Sequence, residues 1–247
     1  MSTEDQPDGK LFRKANEVIQ TSEKVIHRGD ESEEEITNDL SKLVAEMNNP
    51  NIPSLPKCFL AHYYFEYIHP FYDGNGRTGR FIVCSYLSRK LDRMSALQFS
   101  TAIAKNRNSY YKAFVEMSNV YNQGEGTKFV IKMMQLLIFG QYNIIDKLDN
   151  GIKLLENAKR LIAKLKLNSN EKEIMFALCQ KAIFGPYVGT ITDTDLSNTL
   201  KISRYLLNKA FEVLIANDFV EVASSKPLSH VITKKIRDQL FCLETFL

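Results

Sequence analysis

The chain has no tryptophan, and its 247 residues include only four cysteines, seven prolines and eleven glycines. Each scarcity excludes something. Cys58, Cys84, Cys179 and Cys242 lie far apart and form no C-x-x-C pair, which argues against a metal knuckle or a disulfide framework and fits a reduced, cytoplasmic setting. So few glycines and prolines disfavour a turn-rich β-sandwich and lean towards helices. No apolar run approaches the ~20 residues needed to span a bilayer. The acidic start Met1-Ser2-Thr3-Glu4-Asp5 is unlike a secretory leader, so no membrane role is expected. With 44% hydrophobic and 25% charged residues, the chain is neither disordered nor fibrous. Its length allows one large domain, or a main domain with a smaller one.

The net charge of +3 is unevenly spread. Residues 1–49 carry −6, residues 50–167 carry +9, and residues 168–247 carry zero. A bound anion is therefore expected near the middle of the chain.

Apolar pairs at Leu11-Phe12, Val18-Ile19 and Val25-Ile26 fit short strands of a hairpin. Ser32-Glu33-Glu34-Glu35 has the spacing of a capping box and reads as a solvated helix start, ahead of a helix ending at Asn48-Asn49-Pro50. Pro56 opens a second helix to about Ile68, and a third is expected from Arg77 to about Leu91. Further helices are expected over 109–122 and from Thr127 to about Leu167, broken near Asn150-Gly151. From Ile144 to Leu165 an apolar stripe reads as packing surface, between domains or between subunits of a homodimer. Past Asn168, two short helices, Thr192–Leu200 and Ser203–Ala216, precede alternating segments at Phe219–Val222 and His230–Thr233. That is the pattern of a winged helix.

The densest chemistry is His69-Pro70-Phe71-Tyr72-Asp73-Gly74-Asn75-Gly76-Arg77-Thr78-Gly79-Arg80. Two glycines around an asparagine, directly before a helix, make a loop whose amides can converge on one anion, backed by the helix dipole. Arg77 and Arg80 share a helix face and can clamp further phosphate oxygens. Asp73 can hold a divalent cation that also binds phosphate, and His69 is a base of near-neutral reference pKa. These are the parts of a phosphorus-group transfer to a hydroxyl. His62, two helical turns before His69, reads as a packed, hydrogen-bonded histidine rather than a zinc ligand.

Residues 69–80 match the HPFx[DE]GNGRxxR signature without a mismatch, and on this motif the chain resembles the Fic family. Ala61-His62 and Phe65 before it, Asn106-Arg107 with Tyr110-Tyr111 after it, and Pro7–Arg13 as the start of a flap extend the similarity to roughly residues 7–165. The fold class this implies is mainly α, a Fic-type helical bundle with a small β-hairpin flap, followed here by a winged helix-turn-helix domain. The implied division is 1–140 catalytic, 141–168 connecting helix and 169–247 winged-helix-like.

The implied activity is protein adenylylation (AMPylation): AMP passes from ATP, with Mg2+, to a Ser, Thr or Tyr hydroxyl of a target protein. His69 is then the general base and Asp73 the metal ligand. Gly74, Asn75, Gly76, Arg77 and Arg80 bind the ATP phosphates; Asn106, Tyr110 and Tyr111 belong to the nucleotide pocket; Val18 and Ile19 belong to the flap that aligns the target by strand addition. Gly76 favours nucleotidyl transfer, because the phosphorylating Doc branch has a bulkier residue there.

The chain departs from the family in two ways. One or two helices that usually precede the flap are not found, and neither is the inhibitory pattern [ST]xxxE[GN]; Ser169–Glu173 has its spacing, but Ile174 follows. The expectation is a shortened form, or an inhibitory partner acting in trans. The rival reading is a DNA-binding winged-helix regulator whose Fic portion senses nucleotide, with Arg204 and Lys209 reaching the duplex; zero net charge after residue 168 counts against it.

Overall fold

The computed structural model describes residues 8–15, 18–20, 25–188 and 191–242. These form two compact units, residues 1–145 and 146–247.

The first unit opens with two antiparallel strands, β1 (Val18–Gln20) and β2 (Val25–Arg28). Val18 pairs with Arg28, Ile19 with His27 and Gln20 with Val25, with a register shift between the last two pairs. Of the expected strands, those at Val18-Ile19 and Val25-Ile26 are present and Leu11-Phe12 is not one; Pro7 and residues 21–24 lie outside the described residues. Helices α1 (Glu33–Asn48), α2 (Ser54–Ile68), α3 (Asn75–Lys90), α4 (Arg93–Lys105) and α5 (Arg107–Met117) follow. A 3-10 turn (Val120–Asn122) leads into α6 (Thr127–Lys164). The helix expected over 109–122 thus starts earlier and ends sooner, and α4 was not anticipated. Its start is nevertheless marked: the Asp92 carboxylate accepts from the Ser95 amide at 2.9 Å.

The core of this unit joins Phe59 of α2, Val83 and Leu87 of α3, Phe99 and Ile103 of α4, Tyr110 of α5 and Phe129, Met133 and Leu137 of α6, all buried. Burying an aliphatic or aromatic side chain of this kind contributes about 1.5–3 kcal/mol.

The strap before the hairpin is held from both sides. Glu33, read from sequence as part of a solvated helix start, accepts the amides of Lys10, Leu11 and Phe12 at 2.7–3.0 Å. Those hydrogen bonds hold its carboxyl below the usual range. On the other side, Tyr72 accepts from the Ala15 amide and donates to Asp8, both at 3.0 Å.

The second unit takes in the end of α6, then α7 (Ser169–Val188), α8 (Asp193–Leu200), α9 (Arg204–Ala216), β3 (Val220–Ser225), β4 (Leu228–Ile232) and α10 (Lys234–Phe241). β3 and β4 are antiparallel, with Val220 opposite Ile232 and Val222 opposite His230. Ala158 and Ile162 of α6 share a core with Ile174, Met175, Leu207, Phe211, Leu214, Ile236 and Leu240. The later half of the stretch 141–168 thus contributes to this core.

The break expected near Asn150-Gly151 is absent: α6 runs through it. The glycine serves packing instead. A Cβ on Gly151 would meet the Phe184 ring of α7 at 3.1 Å, closer than ordinary contact. Helix α7 itself was not anticipated; Asn168 and Glu171 close its first turn through reciprocal bonds of 2.8 and 3.0 Å.

Candidate active site

Helix α2 ends at His69, which has the left-handed backbone φ 53, ψ 60 and whose amide still bonds to Phe65 O. A left-handed cap lets the chain reverse at once into the loop 70–74, at a cost of about 1 kcal/mol or more for a residue with a Cβ. The ring Nδ1 lies 3.3 Å from Glu66 O. Asn75, buried, locks the loop from inside: its side chain accepts from the Phe71 amide at 3.0 Å and donates to Phe71 O at 2.6 Å. Only its backbone is thus left for a ligand.

Helix α3 starts from Gly74 at φ 92, a conformation open to glycine and strained for other residues. Gly74 offers no side-chain cap, and the first intrahelical bond comes from Thr78 to Gly74 O. The amides of Asn75, Gly76 and Arg77 therefore have no acceptor within the helix. The Gly74 amide donates to Asp73 Oδ1 at 2.6 Å, and Arg77 Nη2 to Asp73 Oδ2 at 2.6 Å. Both partners of that ion pair are well exposed, so it is readily exchanged.

A cavity of about 610 Å³ brings most of these groups together. His69, Asp73, Gly74, Gly76, Arg77 and Arg80 line one part; Tyr63, Tyr67, Tyr110, Tyr111 and Phe114 line another. Tyr110 and Tyr111 thus share a cavity with His69. Asn106 does not line the cavity: it joins α4 to α5, its side chain donating to Ala102 O at 2.9 Å. Val18 and Ile19 lie in β1, while Arg204 and Lys209 lie exposed on α9 of the second unit, where Arg204 donates to Thr194 at 2.9 Å.

His62 is fully buried, 2.7 Å from the Tyr110 hydroxyl. Desolvation, then the nearby Arg80, pushes its imidazole down to about 3, so it is neutral at physiological pH. No group of three potential metal ligands occurs among the described residues.

Glu66 was missed from sequence, although it sits one helical turn before His69. It lines the cavity, and burial holds its carboxyl up at about 7 against the opposing influence of Arg80. Its Oε1 has no hydrogen-bond partner and lies 3.9 Å from His62 Nδ1. Because that imidazole is neutral, the approach is not an ion pair. Gly79 makes room for both: a Cβ there would press on Glu66 Oε1 and on the His62 ring. A Cβ on Gly76 would instead meet Arg80 Nη1 at 3.0 Å.

The arrangement is that of an anion-binding site at a helix N-terminus, with a histidine and an aromatic pocket on the same cavity. Residues 2–87 match the model of the Fic/DOC family, which supports a Fic/DOC family domain in this part of the chain. The match ends within α3, short of the 7–165 span expected from the motif's surroundings. Among solved structures, the chain is similar to a Fic family protein from Desulfovibrio desulfuricans G20, with a TM-score of 0.52 and 19% identity over 90% of this chain. The chain covers 62% of that protein's length, and the likeness concerns the fold. None of the helices among the described residues is long and apolar enough to cross a membrane.

Proposed function

We propose that the chain is a protein adenylyltransferase that moves AMP from ATP to a hydroxyl of a target protein. A match to the Fic/DOC family generally implies AMPylation or a related nucleotidyl transfer. The observation that carries the reading is the sharing of one cavity by His69, the uncapped start of α3, Arg77 and Arg80.

In this mechanism His69 accepts the proton of the target's Ser, Thr or Tyr hydroxyl. The hydroxyl oxygen bonds to the α-phosphorus while the bond from that phosphorus to the β-phosphate oxygen breaks, and pyrophosphate leaves. The amides of Asn75 and Gly76, joined by that of Gly74 once it exchanges Asp73 for phosphate, hold the α- and β-phosphates, and Arg77 and Arg80 hold the outer oxygens. A Cβ at Gly76 would press on the Arg80 guanidinium, so the glycine keeps room beside that clamp. Tyr110 and Tyr111 supply aromatic surface for the base. The strands carrying Val18 and Ile19 offer a backbone edge for the target segment.

Asp73 is the residue that would hold Mg2+. One exposed carboxylate beside phosphate-binding amides suits a cation that arrives on the nucleotide, since magnesium keeps waters and takes one or two carboxylates plus phosphate oxygens. When bound, the ion neutralises phosphate charge.

The order α8, turn, α9 and β3–β4 supports a winged-helix-like second unit. Its exposed Arg204 and Lys209 share α9 with exposed Glu212, and the charge of residues 168–247 sums to zero. Protein docking or self-association is therefore favoured over DNA binding. Glu173, of the near-match to the inhibitory pattern, is exposed on α7 of that unit.

Intact-mass spectrometry with magnesium and ATP tests the reading. One AMP unit should appear on the chain or on a candidate target, and His69→Ala should cut transfer by about 10²–10⁴-fold, the usual worth of a general base. Addition of phosphate alone, or labelling indifferent to His69→Ala, overturns it.

A further inference from the structure

The largest fully buried side chain of the described residues is a charged one, Arg13. Four hydrogen bonds of its side chain run to main-chain carbonyls. Nε donates to His69 O at 2.7 Å and Nη2 to Ile68 O at 3.1 Å. Nη1 donates to Ala15 O and to Asp30 O, both at 2.7 Å. The Arg13 amide completes the set with a bond to Pro70 O at 3.2 Å.

These acceptors fall into two groups. Ile68 O and His69 O are carbonyls at the end of α2, left without intrahelical donors at the negative pole of that helix. They belong to the two peptide planes flanking the His69 Cα, so fixing both fixes the direction in which the imidazole leaves the backbone. Ala15 O and Asp30 O stand where the chain enters and leaves the β1–β2 hairpin. Asp30 also donates its amide to Ile68 O at 3.2 Å. Gly29, between hairpin and helix end, has no room for a side chain: a Cβ would strike the Arg13 guanidinium and come within 3.0 Å of His69 Cβ and Ile68 O.

We infer that Arg13 is a positioning residue that ties both ends of the hairpin to the backbone of His69, setting the distance between a target strand on the flap and the base. The inference rests on the adenylyltransferase reading for its catalytic consequence, though not for its geometry. A planar guanidinium can serve four carbonyls in two directions, whereas a lysine ammonium is a point charge with three donors. Arg13→Lys therefore keeps the charge and loses the tie. The triphosphate cradle of α3 has its own supports in Asn75 and Gly74 and should be little affected.

The test uses the full chain with Arg13→Lys and Gly29→Ala, the latter pressing on the same junction while leaving the arginine. Three quantities are measured: the Kd for magnesium-ATP, the rate of AMP transfer, and the NMR signal of His69 in histidine-labelled protein, assigned with His69→Ala. Transfer should fall at least about a hundred-fold in Arg13→Lys and about ten-fold in Gly29→Ala. The Kd should stay within about three-fold, and the His69 signal should shift and broaden. A folded Arg13→Lys that transfers at the wild-type rate, or whose His69 signal is unchanged, overturns the inference. So does failure of both variants to fold, which would make Arg13 a folding residue only. If the wild-type chain transfers no AMP, the parent reading fails, while the His69 signal and the Kd still decide the geometric claim.

Discussion

In the second unit, each helix that begins there starts under a side chain of its own. Asn168 accepts from Glu171 at α7, Thr192 and Asp195 form a reciprocal box at α8, Ser203 accepts from Leu206 at α9, and Thr233 from Ile236 at α10. Helix α3 of the first unit starts from Gly74, which has no side chain to give. The same dipole stands at all five starts. In four it is closed by the helix's own chain; in the fifth it faces a cavity with two arginines and a histidine. Helices α2 and α5 also start without a side-chain cap, so on the proposed reading it is the cavity in front of α3, and not the missing cap alone, that marks a start serving a ligand.

The sharpest way to break the contrast is to close α3 as the others are closed. Gly74→Asp puts a carboxylate at the open end and forces a residue with a Cβ to φ 92. Binding of magnesium-ATP, read by calorimetry, should weaken about a thousand-fold. An unchanged Kd would mean that the helix start binds nothing.

A smaller effect concerns the buried carboxyl beside Arg80. Because Glu66 has its folded pKa raised to about 7 from 4.5, its contribution to stability is fully present below about pH 4.5 and is lost as pH rises through 7. Glu66→Gln keeps the shape and removes that loss. Wild type and variant should melt alike near pH 4.5, with the variant more stable by about 3 kcal/mol at pH 8. Equal melting at both pH values would show that Glu66 is solvated.

The smallest effect lies in the second unit. Thr192→Ala opens the box at α8 and should cost about 1 kcal/mol in urea unfolding, with AMP transfer unchanged. A loss of transfer would contradict the division of labour between the two kinds of helix start.

The twelve residues 69–80 were legible from sequence because their chemistry is local: loop, helix start and clamp lie within three helical turns. Helix α7 was not: Ile174, Met175, Leu178 and Cys179 share one buried face, but Phe176, Ala177, Ala182 and Ile183 are apolar too and blur that face in the sequence. Gly151 read as a break because a glycine's reason for being there, the Phe184 ring, lies 33 residues away in sequence. Arg13 and Glu33 were opaque for the same reason. All but one of their partners, Ala15 O, are backbone groups 17 to 56 residues distant, and main-chain carbonyls and amides leave no signature in a sequence.

The 2.6 Å contact between Asp73 and Arg77 has a consequence for how reactants enter. On the proposed reading, a triphosphate needs the arginine and a divalent cation needs the carboxylate, yet each group already neutralises the other. A nucleotide alone would strand the carboxylate beside phosphate, and a cation alone would strand it beside a guanidinium. Arriving together they swap partners four ways without net change in charge, so ATP and its metal should load as one species, each raising the other's occupancy.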